Sequence, residues 1–366
     1  MKALVIGNAK FTEDYIAASQ IYPFFDHRQQ LSRELGLTFQ HFQTDKLSDL
    51  KSICQDNPAD ALFIRPDWRE QPQLAEQTMA NIRQTYPNTK IFLIDPFDQT
   101  SSMFFNVLPY VDRMIKYQTL KDLNQYEQPL AGGTVLTDYL VREMGYNLNG
   151  WHVSSPIPSG YVDRIDAGWF LSLIPEFKRP ILRPTLSWFM PRKTVDLVCH
   201  VSLGPKDSQD WYGKLRMHAF RAITALPDRY SKAISGEFLE ERTVSRRQYI
   251  RDLQRGRIAI SPFGWGELSF RDYEAVRHHC LLMKPAVDHI ATEPNIYIPH
   301  ETYVPLKWDY SNLEEQCRYY LDHPEAADRI IQNARRAYAD YYQQQGFVRH
   351  IAALLTPAPL SQAVEA

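Results

Sequence analysis

Residues 260–285, ISPFGWGELSFRDYEAVRHHCLLMKP, place two glycines, aromatic residues and several charged side chains between two apolar runs. Ser269 and Asp272 have the spacing of a capping box, which predicts a helix that begins near Phe270. The free backbone N–H groups and the dipole of that helix would face the loop 264–266, an arrangement suited to phosphate oxygens. Glycine also lets the backbone approach a ligand without an intervening Cβ atom. The segment therefore predicts a phosphate-binding loop followed by a helix.

The charged residues of this helix share one face, because Arg271, Glu274 and His278 occupy positions i, i+3 and i+7. Glu274 has a structural alternative, an ion pair with Arg271 or Arg277, which would add little to stability. His278 and the two residues that follow it, His and Cys, point in different directions around a helix. We therefore predict no metal site here.

The elements that would position these residues form two similar series. Short apolar runs at 3–7, 59–66, 89–95 and 111–117 alternate with amphipathic segments, and a second series begins at residue 194. Strands that alternate with helices predict parallel sheets covered on both faces, with ligands at the carboxyl ends of the strands. We expect an α/β protein with two Rossmann-like domains that face each other across a cleft.

The domain boundaries follow from changes in composition. We assign residues 1–150 to the first domain, 193–355 to the second, and 356–366 to a polar, disordered tail. Residues 151–192 are rich in proline and aromatic residues, which predicts a stiff connection docked in the crease between the domains.

The second half of the chain resembles the GT-B glycosyltransferases. Residues 261–285 are similar to the donor-binding stretch of that family, in which a glycine-rich loop precedes a helix carrying Glu-Ala and then a small apolar strand. Residues 303–338, with LEEQCRYYLDHPEAADRIIQNAR, are similar to the family's C-terminal signature. The resemblance extends over about 193–355, and over the first half it is one of architecture only.

The resemblance implies roles for individual residues. Glu274 would contact the ribose hydroxyls of a nucleotide-sugar. Glu267 would lie nearer the transferred sugar, which makes it a candidate catalytic residue. A basic residue in the region after residue 200 would contact the phosphates, and Arg216 is our choice, followed by Arg271. The expected donor-binding residues are Gly204, Lys214, Arg216, Gly264, Trp265, Gly266, Arg271 and Glu274.

Several of these residues have ordinary alternatives. Glu267 could be an acid favoured by the dipole at a helix start. Trp265 could be a core residue rather than a shelf for a base or sugar. Lys214 and Arg216 could belong to a solvated basic helix face.

A catalytic base is expected in the first domain. Asp95 and Asp98 follow the apolar run 89–95, where an α/β site would place them. Either could take the proton of an acceptor hydroxyl as the sugar is attacked. Asp14 is a further candidate, and for each aspartate the alternative is a helix cap.

Composition limits the classes of partner. The chain has 366 residues, 44% hydrophobic, and a formal net charge of -2, which argues against a general electrostatic grip on nucleic acid. Arg247, Arg251 and Arg255 form a stripe that could meet lipid headgroups or an anionic acceptor, although a solvated stripe is the alternative. No apolar run is long enough to cross a bilayer, and the N-terminus lacks the pattern of a secretory signal. Four widely spaced cysteines suggest a reducing compartment, so we expect a cytoplasmic protein, at most peripheral to a membrane.

The predicted function is metal-independent transfer of a sugar from a UDP- or GDP-sugar to a hydroxyl of a glycan, lipid-linked or small-molecule acceptor. One alternative is a sugar-nucleotide epimerase of the same architecture. Others are a non-catalytic sugar-nucleotide-binding module and a receiver-like regulatory domain. The receiver alternative lacks an acidic cluster after the first strand, and Asp67 would be its phosphate acceptor.

Overall fold

The structure is a computed structural model that describes residues 1–183, 191–206, 210–241 and 243–356. Its first sheet has six parallel strands in the order β2-β1-β3-β4-β5-β7. Most of these strands are short, fully buried apolar runs, as a parallel sheet covered on both faces requires. The strands are β1 (Lys2–Ile6), β2 (Thr38–Phe42), β3 (Ala61–Ile64), β4 (Lys90–Ile94), β5 (Arg113–Lys116) and β7 (Ile165–Ala167).

Helices of the first domain begin where the sequence supplies caps. Asp14 is the N-cap of α1, where its Oδ1 accepts from the backbone N–H of Ala17 at 2.9 Å. Pro72 stands in the first turn of α4, where its missing N–H is not needed. The helices are α1 (Tyr15–Asp26), α2 (Arg28–Leu35), α3 (Leu50–Asp56), α4 (Pro72–Thr85) and α5 (Val135–Arg142).

The second sheet has five parallel strands in the order β13-β11-β10-β8-β9. They are β8 (Val195–Gly204), β9 (Lys232–Phe238), β10 (Gly256–Ile260), β11 (Leu281–Pro285) and β13 (Val304–Leu306). The helices of this domain are α7 (Trp211–Thr224), α8 (Arg246–Arg255), α9 (Phe270–Arg277), α10 (Leu313–Asp322) and α11 (Pro324–Gln343). Two parallel sheets with helices between their strands confirm the predicted fold class.

Four elements join the two domains. Strands β6 (Thr119–Leu120) and β12 (Ile290–Ala291) pair antiparallel, one from each domain. Helix α6 (Pro175–Leu182) contacts both α9 and α11. Helix α12 (Gly346–Leu355) returns to the first domain, where Phe347 packs edge-on against Phe24 and Trp169. One continuous hydrophobic cluster consequently runs through both domains.

The predicted connection differs from the structure in one respect. Residues Ile165–Ala167 form β7 beside β5, so part of the segment assigned to the connection completes the first sheet. Trp169 and Phe170 are buried, as a docked connection requires. Trp188, Phe189 and the predicted tail after residue 356 lie outside the described residues.

No helix in the described part of the chain has both the length and the apolar character needed to cross a membrane. The four cysteines, all within that part, are buried and unpaired.

Candidate functional site

The candidate donor site lies at the carboxyl edge of the second sheet, where β8 and β10 are neighbours. The chain after β10 forms the loop 261–269 and then α9, which begins at Phe270 as predicted. Asp272 closes the helix start, since its Oδ2 accepts from the backbone N–H of Ser269 at 3.3 Å. The loop and the first turn of α9 are thereby fixed to each other.

A buried ion pair anchors this loop to the sheet. Lys284, on β11, lies 2.5 Å from Asp272 Oδ2, and both side chains are fully buried. Lys284 Nζ also donates to the carbonyl of Glu267 at 2.8 Å. Asp272 accepts further hydrogen bonds from Ser261 and Tyr297. Sequence reasoning missed Lys284 and assigned Asp272 only to the helix cap.

Two arginines face this loop without a carboxylate to neutralise them. Arg216 donates to the carbonyl of Ser202 at 2.8 Å, and Arg271 donates to the carbonyl of His200 at 3.2 Å. Among the described residues, no acidic side chain forms an ion pair with either. Burial, and then repulsion from Arg271, lower the pKa of Arg216 to about 10. Uncompensated, adjacent guanidinium groups are what a diphosphate ligand requires.

Two of the predicted glycines are needed for close packing rather than for ligand approach alone. Gly204 has φ +85, and a Cβ there would lie 2.6 Å from the hydroxyl of Tyr212. A Cβ on Gly266 would lie 2.3 Å from the backbone oxygen of Asp98, in the first domain. Gly266 therefore lets the loop of the second domain rest directly on the Asp98 loop.

Gly264 and Trp265 complete the loop. A Cβ on Gly264 would come within 2.5 Å of Arg216 Nη2, so a larger residue at this position would displace the Arg216 guanidinium. Trp265 is half-buried and packs against Trp151, Trp211 and Tyr212. It also lines the large cavity described below. The packing alternative for Trp265 is thus observed, and its role as a shelf for a base or sugar stays a prediction.

The structure corrects the expectation that Glu274 opens into the cleft. Its side chain is 7% exposed; Oε2 accepts from the hydroxyl of Tyr249 at 2.5 Å, and Oε1 lies 3.3 Å from Arg246. The ion-pair alternative holds, but with Arg246 of α8 rather than with Arg271 or Arg277. Arg277 and Arg246 both pair with Glu176 of α6.

Glu267 also differs from expectation. Its side chain is 1% exposed, and Oε1 lies 3.5 Å from His289 Nε2. Within the described ranges Oε2 has no hydrogen-bond partner. A carboxylate this deeply buried does not reach a sugar in the cleft, so the predicted catalytic role is not supported by its position.

The other cations of the second domain considered for ligand binding, together with Lys206 in the loop after β8, are peripheral. Lys214 is exposed on α7 and, two residues from Arg216, points to another side of the helix. Lys206 pairs with Glu241 at the surface. Of the arginine stripe, Arg251 bonds Gln248 and Arg255 bonds Thr194. No group of three or more His, Cys, Asp or Glu side chains within the described ranges has the geometry of a metal site.

A cavity of about 1200 Å³ opens at the carboxyl edge of the first sheet, facing the donor loop. It is lined by the segments that follow β1, β3 and β4, by residues 151–153 and by Trp265 of the second domain. The predicted acceptor side of the cleft is therefore a built cavity, as open α/β sheets favour at this edge.

Asp98 and Asp95 occupy different environments. Asp98 lines the cavity and accepts from the hydroxyl of Tyr117 at 3.2 Å. Burial raises the pKa of Asp98, an effect that the Tyr117 hydrogen bond partly offsets. Asp95 is fully buried, is paired with Lys116 and accepts from Ser102 at 2.6 Å. Asp95 is therefore engaged by Lys116 and Ser102 and does not line the cavity, whereas Asp98 does. The role of Asp98 as the base stays a prediction.

Sequence reasoning missed Arg65, the floor of the cavity. It follows β3 directly and is 2% exposed, and its Nε donates to Gln20 at 3.0 Å. Its Nη1 lies 3.5 Å from Asp14 Oδ2 but makes no hydrogen bond to any described residue. The signal was present in the sequence, because a charged residue at the carboxyl end of a buried strand is where α/β sites lie.

The comparisons with known proteins concern the fold. No protein-family model matches the chain, and no curated protein matches its sequence. An alpha-glucosyltransferase in complex with UDP and a 13-mer DNA containing an HMU base has TM-score 0.50 and 8% identity, covering 97% of this chain and 100% of that one. The chain has the GT-B fold.

Two further structures are similar over most of the chain. A glycosyltransferase from Rickettsia africae ESF-5 has TM-score 0.49 and 10% identity, covering 98% of this chain and 99% of that one. A UDP-GlcNAc 2-epimerase from Neisseria meningitidis bound to UDP-GlcNAc has TM-score 0.42 and 13% identity, covering 97% and 99%.

Proposed function

We propose that this protein transfers a sugar from a nucleoside-diphosphate donor to an acceptor hydroxyl. The observation that carries the proposal is the unneutralised pair Arg216 and Arg271, which lies across the crease from Asp98. Asp98 is close enough to Arg216 to raise its pKa, against the larger lowering by burial and Arg271. Cations for a leaving group and a carboxylate for a nucleophile therefore lie at one junction.

These residues supply the parts of a single displacement. Asp98 takes the proton of the acceptor hydroxyl as its oxygen bonds to the anomeric carbon of the donor sugar. The bond between that carbon and the diphosphate oxygen breaks, and the electron pair leaves with the nucleoside diphosphate. Arg216 and Arg271 stabilise the negative charge that develops there. Two arginines can meet this need, so the proposal includes no metal ion.

Glu274 does not support the proposal. In this structure both of its oxygens are engaged by Tyr249 and Arg246. A ribose contact from Glu274 would require the exchange of one of these bonds. We therefore rest donor recognition on the arginines and the 264–266 loop.

The cavity on the acceptor side favours transfer over epimerisation of a sugar nucleotide. Epimerisation has no second substrate, whereas a volume of about 1200 Å³ beside Asp98 provides room for one. The two reactions differ in a simple respect, since an epimerase acts with no acceptor present.

The test uses the full chain and a panel of UDP-, GDP- and CMP-sugars. We expect at least one UDP- or GDP-sugar to raise the thermal unfolding temperature and to be slowly hydrolysed, releasing the nucleoside diphosphate; the CMP-sugars, which would release a monophosphate, serve as the comparison. NMR of the sugar product would show whether epimerisation occurs instead. If no nucleotide-sugar binds to the folded protein, the proposed function is refuted.

A further inference from the structure

The charged side chains that line the large cavity indicate which class of ligand it can bind. Its lining includes five carboxylates, two guanidinium groups and one histidine, and it contains no lysine. The carboxylates are those of Glu13, Asp14, Asp45, Glu70 and Asp98, and the guanidinium groups are those of Arg65 and Arg69. Arg69 is 71% exposed and is already paired with Asp67. Arg65 also lies beside a carboxylate, 3.5 Å from Asp14 Oδ2, so neither guanidinium gives the cavity an excess of positive charge.

Arg65 gives the cavity a polar group that a ligand can use. The side chain is almost completely buried, yet Nη1 donates no hydrogen bond to the described residues. Burial lowers the pKa of Arg65, and Asp14 is the first of several nearby carboxylates that raise it again. An unused N–H donor beside carboxylate acceptors matches a hydroxyl group, which both accepts and donates. It does not match a phosphate, which would need several uncompensated cations.

Aromatic surface lies at the mouth of the same cavity. Trp68 is 57% exposed although it is one of the largest apolar side chains, and it follows Arg65 by three residues. Trp151 and Trp265 stack on each other with ring centroids 6.0 Å apart and also line the cavity. An exposed indole beside hydroxyl-binding groups suits a flat ligand with one apolar face and polar edges.

We propose that this cavity binds an uncharged saccharide as the acceptor, with Trp68 packed against a sugar ring and with Arg65 and Asp14 holding its hydroxyls. The role of the saccharide as an acceptor rests on the proposed function, whereas binding of the saccharide to the cavity does not require a donor. Nucleic acids, phosphorylated sugars and anionic lipid headgroups are disfavoured because their phosphates would face carboxylates at short range.

The experiment measures binding to the full chain without any nucleotide-sugar. The probes are matched pairs, glucose with glucose 6-phosphate and N-acetylglucosamine with its 6-phosphate, together with maltose, cellobiose and chitobiose. An oligothymidylate and phosphatidylglycerol vesicles represent the phosphate-bearing classes. Saturation-transfer NMR and tryptophan fluorescence report binding, and we expect each neutral member that binds to bind at least about tenfold more tightly than its phosphorylated partner.

Three variants make the test specific. Trp68→Ala should weaken saccharide binding by about tenfold and reduce saturation transfer to the ring C–H protons. Tyr319→Ala removes an aromatic residue that is 48% exposed on the second domain, and it should change nothing. Asp45→Lys should narrow the difference between neutral and phosphorylated members, since it replaces a lining carboxylate by a cation.

The outcomes separate this inference from the proposed function. It is overturned if no neutral saccharide binds to the folded protein, if a phosphorylated sugar, oligonucleotide or vesicle binds more tightly, or if Trp68→Ala and Tyr319→Ala behave alike. If saccharides bind here but no nucleotide-sugar binds near Arg216, the transfer reaction fails and the saccharide site stands. If nucleotide-sugars are hydrolysed but saccharides do not bind, the saccharide site is refuted and the proposed use of a nucleotide-sugar stands.

Discussion

Replacing Arg216 by methionine should make the free protein more stable and the nucleotide complex weaker. Burial and repulsion from Arg271 lower the pKa of Arg216 from 12.5 to about 10. At about 1.4 kcal/mol per pKa unit, that difference corresponds to an upper limit of about 3 kcal/mol of unfavourable charge burial. The side chain is partly exposed, so solvent screening reduces this figure to about 2 kcal/mol.

The variant also loses a favourable contact. Arg216 donates to the carbonyl of Ser202, and losing a hydrogen bond of this kind removes about 1 kcal/mol. The Arg216 guanidinium also lies 5.1 Å from the centroid of the Tyr212 ring, and the methionine sulfur replaces this contact with a sulfur–aromatic one. The net expectation is a gain of about 1 kcal/mol in the free energy of unfolding. In a nucleotide complex the same change removes a charged hydrogen bond, about 1.5–3 kcal/mol, or a 10- to 150-fold loss of affinity for UDP or GDP.

Chemical denaturation with and without UDP or GDP, together with titration calorimetry, measures both effects. Arg221→Met is the matched control, because Arg221 lies on the same helix α7 and is exposed. It should alter neither stability nor affinity beyond about 0.5 kcal/mol. If Arg216→Met lowers stability by more than 1 kcal/mol and leaves nucleotide affinity intact, Arg216 is a structural residue and our account of the donor site is wrong.

Asp98→Asn should abolish transfer while nucleotide binding persists. In the wild type, burial raises the pKa of Asp98, so Asp98 becomes protonated at a higher pH than an exposed aspartate does. A kcat/KM profile should therefore show activity declining on the acid side at that higher pH. Lys284→Met should lower the free energy of unfolding by about 3–5 kcal/mol because it leaves the Asp272 carboxylate buried and unpaired, and urea denaturation would contradict this with a loss below 1 kcal/mol. Burial, and then Arg277, lower the pKa of His278 from 6.5 to about 3. The unfolded chain therefore binds a proton that the folded chain does not, and the free energy of unfolding should decline as pH falls from about 6.5 towards 3. In His278→Gln the denaturation midpoint should depend less steeply on pH over that range. The same pH dependence in the variant and the wild type would contradict the assignment.

The parts of the fold that the sequence predicts are those with strong local signals. Strands such as β1, β3 and β4 are continuous apolar runs, and α9 begins at its capping pair. The missed strands lack such signals. β2 is an edge strand with half-exposed residues, and β7 has only three residues. Both depend on pairing with a strand that is distant in the chain.

The amphipathic pattern of residues 326–355 predicts one long helix, whereas the structure has two, α11 and α12. Gln345 has a φ of +54, which ends α11 and turns α12 back towards the first domain. The chain there is QQQG, so the local composition gives little warning beyond the glycine that follows. The turn is stabilised by distant packing, in which Phe347 meets Trp169.

The site residues also differ in whether their surroundings follow from local sequence or from contacts with distant parts of the chain. The resemblance suggested Arg216 and Arg271, and the structure places both beside the 264–266 loop. Asp98 follows β4, as the position of a strand end predicts. Sequence position could not give the burial state of a carboxylate. Glu274 is engaged by Arg246, 28 residues away, and Asp95 by Lys116, 21 residues away. Such pairings depend on which strands and helices become neighbours, and a local motif does not contain that information.

In the proposed transfer reaction, the distribution of charge across the crease favours binding of the donor before the acceptor. Arg216 and Arg271 are unneutralised on one side, and the cavity on the other side is acidic, with Asp98 at the boundary. A diphosphate seated on the arginines cancels positive charge that otherwise favours the ionised form of Asp98. Donor binding should therefore raise the proton affinity of Asp98 at the moment when an acceptor hydroxyl needs a base. Departure of the nucleoside diphosphate reverses this effect, so the same charges that assemble the reaction also favour release of the acceptor proton to solvent.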